Sequence, residues 1–352
     1  MAAKLRRSTV ARESPIAAEK SVVTLAMVAE LARVSPSTVS RILNNSARVK
    51  EAKVRAVKAA IAKLKFMPDP VARTLAGGKS MTVGVVAQAI DSPFYGEALL
   101  AIEKGLIRAH LHPLFASGHW RAEDERDCIA RLRSRRVEGI ILLTSCLPDE
   151  ELKELSRSVP LVVTGRRIAA ARIYCLDVDS TSGARLATDF LIDQGHRRIA
   201  FIGGTAGHPD ARERLAGYRA SLAAHHIPYA KELVAAGDYT SLGGYVATNL
   251  LLDAGTEFTA IFAANDQAAF GALLALHRRG LKVPGDVSLI GYDNVPESQY
   301  TIPPLTSVHR SIDEVGEGAA KAIIDMIAGR AATAEVPEPK LEIRESTRPL
   351  RS

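Results

Sequence analysis

The run Thr24–Asn45, T-L-A-M-V-A-E-L-A-R-V-S-P-S-T-V-S-R-I-L-N-N, decides how this chain is read. Ala29, Leu31, Val34, Val39 and Ile42 are small or apolar at spacings that let two short helices cross closely about a tight turn. Ser35 fits the N-cap of the second helix and Pro36 its first position, where a missing N–H costs nothing. A helix that starts there carries Pro36, Ser37, Thr38, Ser40 and Arg41 on or near its outer face. Short hydroxyls beside one arginine suit base edges and phosphates in a major groove.

Apolar periodicity belongs to any small helical domain, so charge has to arbitrate. Residues 1–80 hold 16 Lys and Arg against 5 Asp and Glu, whereas the remainder holds 30 against 34. A basic end on a mildly acidic body suits a phosphate-binding head carried by a nearly neutral sensor. After the helix pair, Val54, Val57, Ile61 and Leu64 form one apolar stripe of a third helix, about Lys50 to Leu64, with lysines and Arg55 opposite. That stripe is expected to close a three-helix core. Residues 1–22 mix Lys, Arg, Ser, Ala and Pro without a period and read as a disordered basic tail.

The chain has 352 residues, enough for a small head and a two-part body. No run of about 18 apolar residues is present to span a membrane, and the basic start M-A-A-K-L-R-R has no apolar run behind it. A cytoplasmic protein with no membrane contact is expected. Cys128, Cys146 and Cys175 are widely spaced without a C-x-x-C, which points to buried thiols rather than zinc or redox chemistry.

From Met81 onward, apolar runs alternate with helical stretches such as 96–110 and 121–135. T-V-G-V-V-A, P-L-F-A-S, G-I-I-L-L-T, L-V-V-T and I-Y-C-L-D form one series of strands. R-I-A-F-I-G-G, L-V-A-A-G, A-I-F-A-A and V-S-L-I-G-Y form a second, after Gln194-Gly195-His196. This alternation implies two α/β lobes with parallel sheets and right-handed crossovers. Ligands bind at the carboxyl ends of such strands, so residues just past each run are the candidates. They are Asp91 with Phe94 and Tyr95, Arg166, Arg212, Tyr239, Asn265 and Asp293.

An α/β enzyme acting on a sugar-like molecule and a transport-type solute-binding protein are the rival readings. The sequence has no G-x-x-x-x-G-K-[ST], no G-x-S-x-G, no H-E-x-x-H, and no G-x-G-x-x-G after the first strand, so no catalytic residue is assigned. His110 with His112, and His225 with His226, lack partners at ligand spacing, so no metal and no cofactor are expected. The H-P-D run at His208–Asp210 lies near the cleft without an evident nucleophile. A transport protein would need a secretory signal and no head.

The phrases V-A-x-x-A-x-V-S, T-V-S-R-x-L-N and x-P-x-x-x-A-R-x-L stand here in fixed register. They are followed by D-S-P-F-Y, V-E-G-I-I-L, Q-G-H-R-R-I-A-F-I-G-G, R-L-A-G-Y, A-N-D-Q-A-A-F-G-A-L, V-P-G-D-V-S-L-I-G-Y-D-N and P-P-L-T-S-V. In that order they resemble the lactose/galactose repressor family of bacterial transcription regulators. Met27 stands where an acidic residue is usual, Arg33 where the turn commonly has Gly, and Asp69 where Asn precedes the hinge. At Arg33 a positive φ would cost roughly 1 kcal/mol.

The resemblance implies an all-α helix-turn-helix head on a two-lobed α/β body of the periplasmic-binding-protein type. The layout implied is a tail over 1–22, a head over 23–67, a hinge helix and linker over 68–80, one lobe over 81–195 with 310–330, and another over 196–309 with 338–349. It adds Thr24, Ser35 and Asn44 to the DNA-contacting set, with Ala72, Arg73 and Leu75 in the hinge, where Leu75 matches a minor-groove wedge. Arg212, Asn265 and Asp293 match positions that grip effector hydroxyls, Tyr239 an aromatic platform and Phe94 an apolar wall. Asp91, Arg166 and Arg310 match less specific positions. The partners implied are operator DNA, a sugar, sugar acid or sugar phosphate, and a second copy of the chain in a homodimer or tetramer.

Overall fold

The computed structural model describes residues 23–43, 49–66 and 79–350. The chain divides at Lys79 into two compact units. In the first, α1 (Leu25–Leu31), α2 (Pro36–Leu43) and α3 (Glu51–Leu64) pack around Val28, Ala29, Val39, Val57, Ala60 and Phe66. Thr24 caps α1, its Oγ1 accepting from the Met27 N–H at 3.4 Å. Ser35 caps α2, its Oγ accepting from the Thr38 N–H at 3.3 Å. Leu31, expected in the helix crossing, is exposed at 42%. Val28 takes the core place instead, on the helix face that also carries Leu25, Ala29 and Ala32 and leaves Leu31 to one side.

The turn between α1 and α2 places Arg33 at φ 52°, and the Val34 N–H donates to the Ala29 carbonyl at 3.0 Å. A side chain held in the left-handed region costs about 1 kcal/mol that glycine does not incur. Arg33→Gly is therefore expected to raise the stability of the head by about 1 kcal/mol, read from its transition in chemical denaturation; an unchanged or lower midpoint contradicts the strain.

The second unit holds two twisted sheets. The first, in spatial order β2-β1-β3-β4-β5, is parallel. Its strands are β1 (Thr82–Ala87), β2 (His112–Ser117), β3 (Gly139–Leu142), β4 (Leu161–Thr164) and β5 (Ile173–Leu176). The second, β11-β10-β9-β8-β6-β7, contains β6 (Ile199–Ile202), β7 (Val234–Ala235), β8 (Ala260–Ala263), β9 (Ser288–Asp293), β10 (Thr306–His309) and β11 (Lys340–Glu342). It is parallel except at one edge, where β11 runs antiparallel to β10. Central strands are buried on both faces, which is why β3, β4, β6 and β8 read as unbroken apolar runs, whereas the edge strand β2 is partly exposed.

Helices cover both faces of each sheet. Around the first lie α4 (Pro93–Arg108), α5 (Ala122–Ser134) and α6 (Asp149–Ser156). Around the second lie α7 (Ser180–Asp193), α8 (Pro209–Ala224), α9 (Ser241–Asp253) and α10 (Asp266–Arg278). The last helix, α11 (Ile312–Ile327), follows a strand of the second sheet yet returns to pack on α4 and on Ile141 of the first.

One expected boundary moves. Residues 180–195, assigned from the sequence to the first lobe, belong with the second. Ala184, Ala187, Leu191 and Ile192 of α7 bury against Ile199, Phe201 and Tyr218. The chain thus crosses between lobes just after β5, and a helix following a strand carries no sequence mark of which sheet it will cover.

Candidate functional site

The carboxyl ends of the two sheets face one cavity of about 290 Å³. From the first sheet, the loop after β1 brings Asp91 and Ser92, the first turn of α4 brings Phe94 and Tyr95, and the loop after β2 brings Trp120. From the second come His208, Asp210 and Arg214 of α8 and its cap, Asp238, Tyr239 and Thr240 after β7, Asn265 after β8, Asp293 at the end of β9 and Arg310 after β10.

The floor is a square of alternating charge. Arg214 Nη2 lies 3.4 Å from Asp293 Oδ1 and 3.6 Å from Asp210 Oδ2, and its Nη1 donates to the Ala264 carbonyl. Arg310 Nη1 lies 3.2 Å from Asp210 Oδ2 and 3.7 Å from Asp293 Oδ1. All four groups are buried or nearly so, and burial pulls the guanidiniums down while the carboxylates hold them charged, so both stay protonated. Burial would raise Asp210, but Arg310 and Arg214 outweigh it and hold its carboxyl below the usual range. At Asp293 burial prevails over the same two cations and raises it. Three buried polar atoms here have no hydrogen-bond partner among the described residues: Arg214 Nε, Arg310 Nε and the Tyr239 hydroxyl. Buried polar groups are otherwise almost always paired, so these three stand out.

A chain of rings crosses the cleft above this floor. Phe94 meets Tyr95 edge-on at 5.1 Å, Tyr95 meets Trp120 at 6.1 Å, Trp120 meets the His208 ring at 3.9 Å, and His208 meets Tyr239 at 6.1 Å. Burial lowers His208, so its imidazole is neutral and packs as an aromatic. Tyr239 sits at φ 67°, with its carbonyl held by Asn265 Nδ2 at 2.9 Å. Its ring lies flat on Gly204, where any Cβ would overlap it. Trp120 also has a positive φ of 59°, and its N–H donates to Gln88 Oε1 at 3.0 Å. Gln88 is anchored in turn, donating to the Thr144 carbonyl at 2.8 Å and to the buried Glu125 at 3.2 Å. Ser145 and the Cys146 N–H complete the Glu125 shell at 2.5 and 2.7 Å. A buried polar pedestal thus fixes the chain's single tryptophan.

On the first unit, Pro36, Ser37 and Arg41 of α2 are exposed and Thr38 and Ser40 are half-buried, while Val39 faces the core. The hydroxyls of Ser37 and Thr38 both lie 2.9 Å from Ser35 Oγ, so this face presents a cluster of hydroxyls with Arg41 one turn on.

The head, residues 24–69, matches the bacterial regulatory proteins of the lacI family, and residues 188–347 match a periplasmic binding protein-like domain. The transcriptional regulator GalR of Salmonella typhimurium (strain SL1344) is 36% identical over 314 residues, 89% of this chain and 92% of that protein. The chain belongs to the LacI family. Among solved LacI-family structures, the lac repressor dimer bound to operator and the anti-inducer ONPF superposes with a TM-score of 0.83 at 29% identity, covering 93% of this chain and 99% of that one. The CelR–cellobiose complex gives 0.68 at 34% identity, covering 92% and 99%. This LacI-family chain is a DNA-binding transcriptional regulator rather than an enzyme.

Of the cleft residues expected from the sequence, the structure brings together Asp91, Phe94, Tyr95, Tyr239, Asn265, Asp293 and Arg310. Asn265 is largely spent, its Oδ1 capping α10 at the Ala268 N–H and its Nδ2 holding Tyr239. Two expectations are corrected. Arg212 is exposed and lines no part of the cavity; Arg214 does, since it shares a helix face with Asp210 four residues earlier whereas Arg212 points away. Arg166 is drawn off to the Leu147 carbonyl at 2.6 Å and Asp149 at 3.1 Å and does not line the cavity. Sequence reasoning missed Trp120, although it sits just past β2 where the strand-end rule points, and assigned no role to His208 and Asp210. Asn44, Ala72, Arg73 and Leu75, the basic tail and most of the 68–80 hinge lie outside the described residues.

No described helix is long and apolar enough to cross a membrane, and no group of three or more His, Cys, Asp or Glu among the described residues is placed to hold a metal. The three thiols are free; Cys128 is buried, Cys146 and Cys175 half-buried, and burial pushes the latter two up, away from the reactive thiolate.

Proposed function

We propose that this chain is a cytoplasmic repressor whose operator affinity is set by a sugar-like effector bound between its lobes. The observation that carries the effector site is the buried Arg214–Asp293–Arg310–Asp210 square with three unpartnered donors beside it, under a line of aromatic rings. Fixed polar groups below and ring faces above suit vicinal hydroxyls and the C–H faces of a sugar. The sugar cellobiose in the CelR complex supports that class. Asp91, Phe94, Tyr95 and Trp120 contact the effector from the lobe built on residues 81–178 with 310–330, and His208, Asp210, Arg214, Tyr239, Asn265 and Asp293 from the other; Arg310 lies at the crossover. Effector binding changes the angle between lobes, which alters the affinity for DNA.

Operator DNA is read by Thr24, Ser35, Pro36, Ser37, Thr38, Ser40 and Arg41, with Asn44, Ala72, Arg73 and Leu75 as further contacts. Homodimers match a near-palindromic site. Support for pairing comes from an unpartnered apolar stripe, Leu242, Val246 and Leu250, one per turn along α9, and from Tyr300 and Ile302, which is 95% exposed. Leu250→Asp is expected to shift the sedimenting species from dimer to monomer and to weaken operator binding; a wild-type monomer in the micromolar range contradicts the pairing.

A thermal-shift screen of sugars against the full chain tests the effector reading, since a ligand bound only by the folded state raises the melting temperature. In the same assay Gly204→Ala, which pushes the Tyr239 ring off its seat, is expected to lose about 1 kcal/mol or more of effector affinity. An unchanged affinity by calorimetry removes Tyr239 from the platform.

A further inference from the structure

We infer that Arg33, in the turn ahead of the recognition helix, contacts a DNA phosphate and adds one ionic contact to the complex with operator DNA. This rests on the placement of α2 against DNA and extends the contact set to a residue that lies on neither helix of the pair. Arg33 is held at φ 52°, a conformation that glycine adopts freely and asparagine with little penalty. Residues held in this way persist where the structure over-determines them, and they cluster at functional sites.

Nothing inside the head offsets that cost through the side chain. The turn is closed by backbone bonds, the Arg33 N–H donating to the Glu30 carbonyl at 3.1 Å and the Val34 N–H to the Ala29 carbonyl at 3.0 Å, and glycine would form both equally well. The Arg33 side chain is exposed and makes no hydrogen bond or ion pair with any described residue. Glu30 is exposed three positions earlier, and the two do not pair. The negative end of α1 attracts the guanidinium, but that attraction is the same with and without DNA, so by itself it predicts no effect on DNA affinity.

What lies within reach is the start of α2. The Ser35 Cα is two residues on and so at most about 7 Å from that of Arg33, a distance an arginine side chain spans. The hydroxyls of Ser37 and Thr38 gather there, each 2.9 Å from Ser35 Oγ. The first turn of α2 holds no acidic residue, so the positive end of its dipole is uncompensated and favours an anion. A backbone phosphate seated on these hydroxyls lies beside the Arg33 guanidinium, whose planar fork holds phosphate oxygens two at a time. Arg41 stands in the last turn of the same helix, so the two arginines place one cation at either end of α2. On binding, the Arg33 charge replaces a counterion condensed on the duplex.

The test measures the Kd of the full chain for a duplex that it has enriched from a random pool, in sodium chloride from about 50 to about 200 mM. Wild type is compared with Arg33→Gly, Arg33→Asn and Arg33→Lys. The glycine and asparagine variants, whose turns are at least as stable, are expected to bind about tenfold more weakly at the low-salt end. Their log–log salt slope is expected to flatten by about one, so the deficit shrinks about three- to fourfold across the range and falls equally on all single-base variants of the duplex. Arg33→Lys keeps the charge and is expected to keep the slope. Glycine and asparagine variants that match wild type in Kd and slope overturn the inference. So does a flattened slope in Arg33→Lys, which marks a structural role for arginine in the turn, and so does a loss confined to one base pair. Arg41→Ala in the same assay separates this contact from the reading it rests on: weaker binding there with wild-type behaviour at Arg33 removes this contact alone, whereas wild-type behaviour at both positions removes α2 from the groove.

Discussion

Arg214→Ala is expected to leave the chain able to bind operator DNA and unable to respond to its effector, whereas Arg212→Ala, two residues away, is expected to behave as wild type. The contrast follows from helix geometry. Arg214 shares its face of α8 with Asp210 and lies in the cavity floor, 3.4 Å from Asp293, while Arg212 is exposed. A charge-assisted hydrogen bond to an effector hydroxyl contributes about 1.5–3 kcal/mol, so its loss lowers effector affinity by roughly 10- to 150-fold. The truncation also leaves Asp210 and Asp293 with Arg310 as their one remaining cation in the square and strips the Ala264 carbonyl of its donor. Breaking a buried pair from one side costs about 3–5 kcal/mol, so the body of Arg214→Ala is expected to melt well below wild type. Operator binding retained at low temperature shows that the variant is folded. A normal effector response in Arg214→Ala contradicts the cleft, and a lost one in Arg212→Ala contradicts the assignment of face.

Arg41→Ala carries the second large effect. Arg41 is the one arginine of α2, exposed one turn beyond the Ser35 hydroxyl cluster. A base-edge contact from such an arginine is worth about 1–3 kcal/mol, a loss of roughly 5- to 150-fold in operator affinity that falls mainly on one base position. If the contact is to phosphate, the loss is uniform across sequences and the salt dependence weakens by about one counterion. Binding titrations on the operator and on single-base variants at two salt concentrations separate the two. Affinity unchanged at physiological salt contradicts the recognition-helix assignment.

The fold was legible because its central strands are buried on both faces and therefore read as unbroken apolar runs, while Ser35-Pro36 marks a helix start by chemistry that needs no tertiary context. The antiparallel β11 was not legible, since K-L-E at Lys340–Glu342 has no apolar run and owes its strand to pairing with β10. The allegiance of α7 was hidden for a related reason: Ala184, Ala187 and Leu191 mark an apolar face but not the sheet it covers. In the cleft, strand ends pointed to Asp91, Tyr239, Asn265 and Asp293. The same rule applied to β2 reaches Trp120, and helical spacing from Asp210 reaches Arg214. What no spacing reveals is that Arg310, 100 residues further along the chain, also meets Asp210, because the two come together only in the folded chain.

The central claim is that one small molecule, bound in the cleft, changes the affinity of the head for DNA. It is tested most directly by measuring the Kd of the full chain for a duplex that it has itself enriched from a random pool, with and without a neutral sugar that shifts Trp120 fluorescence. The expected result is a change in operator Kd of about 5- to 150-fold, the range of ordinary allosteric coupling, absent in Arg214→Ala. A sugar that saturates the cleft by fluorescence and leaves the operator Kd of wild type unchanged would contradict it.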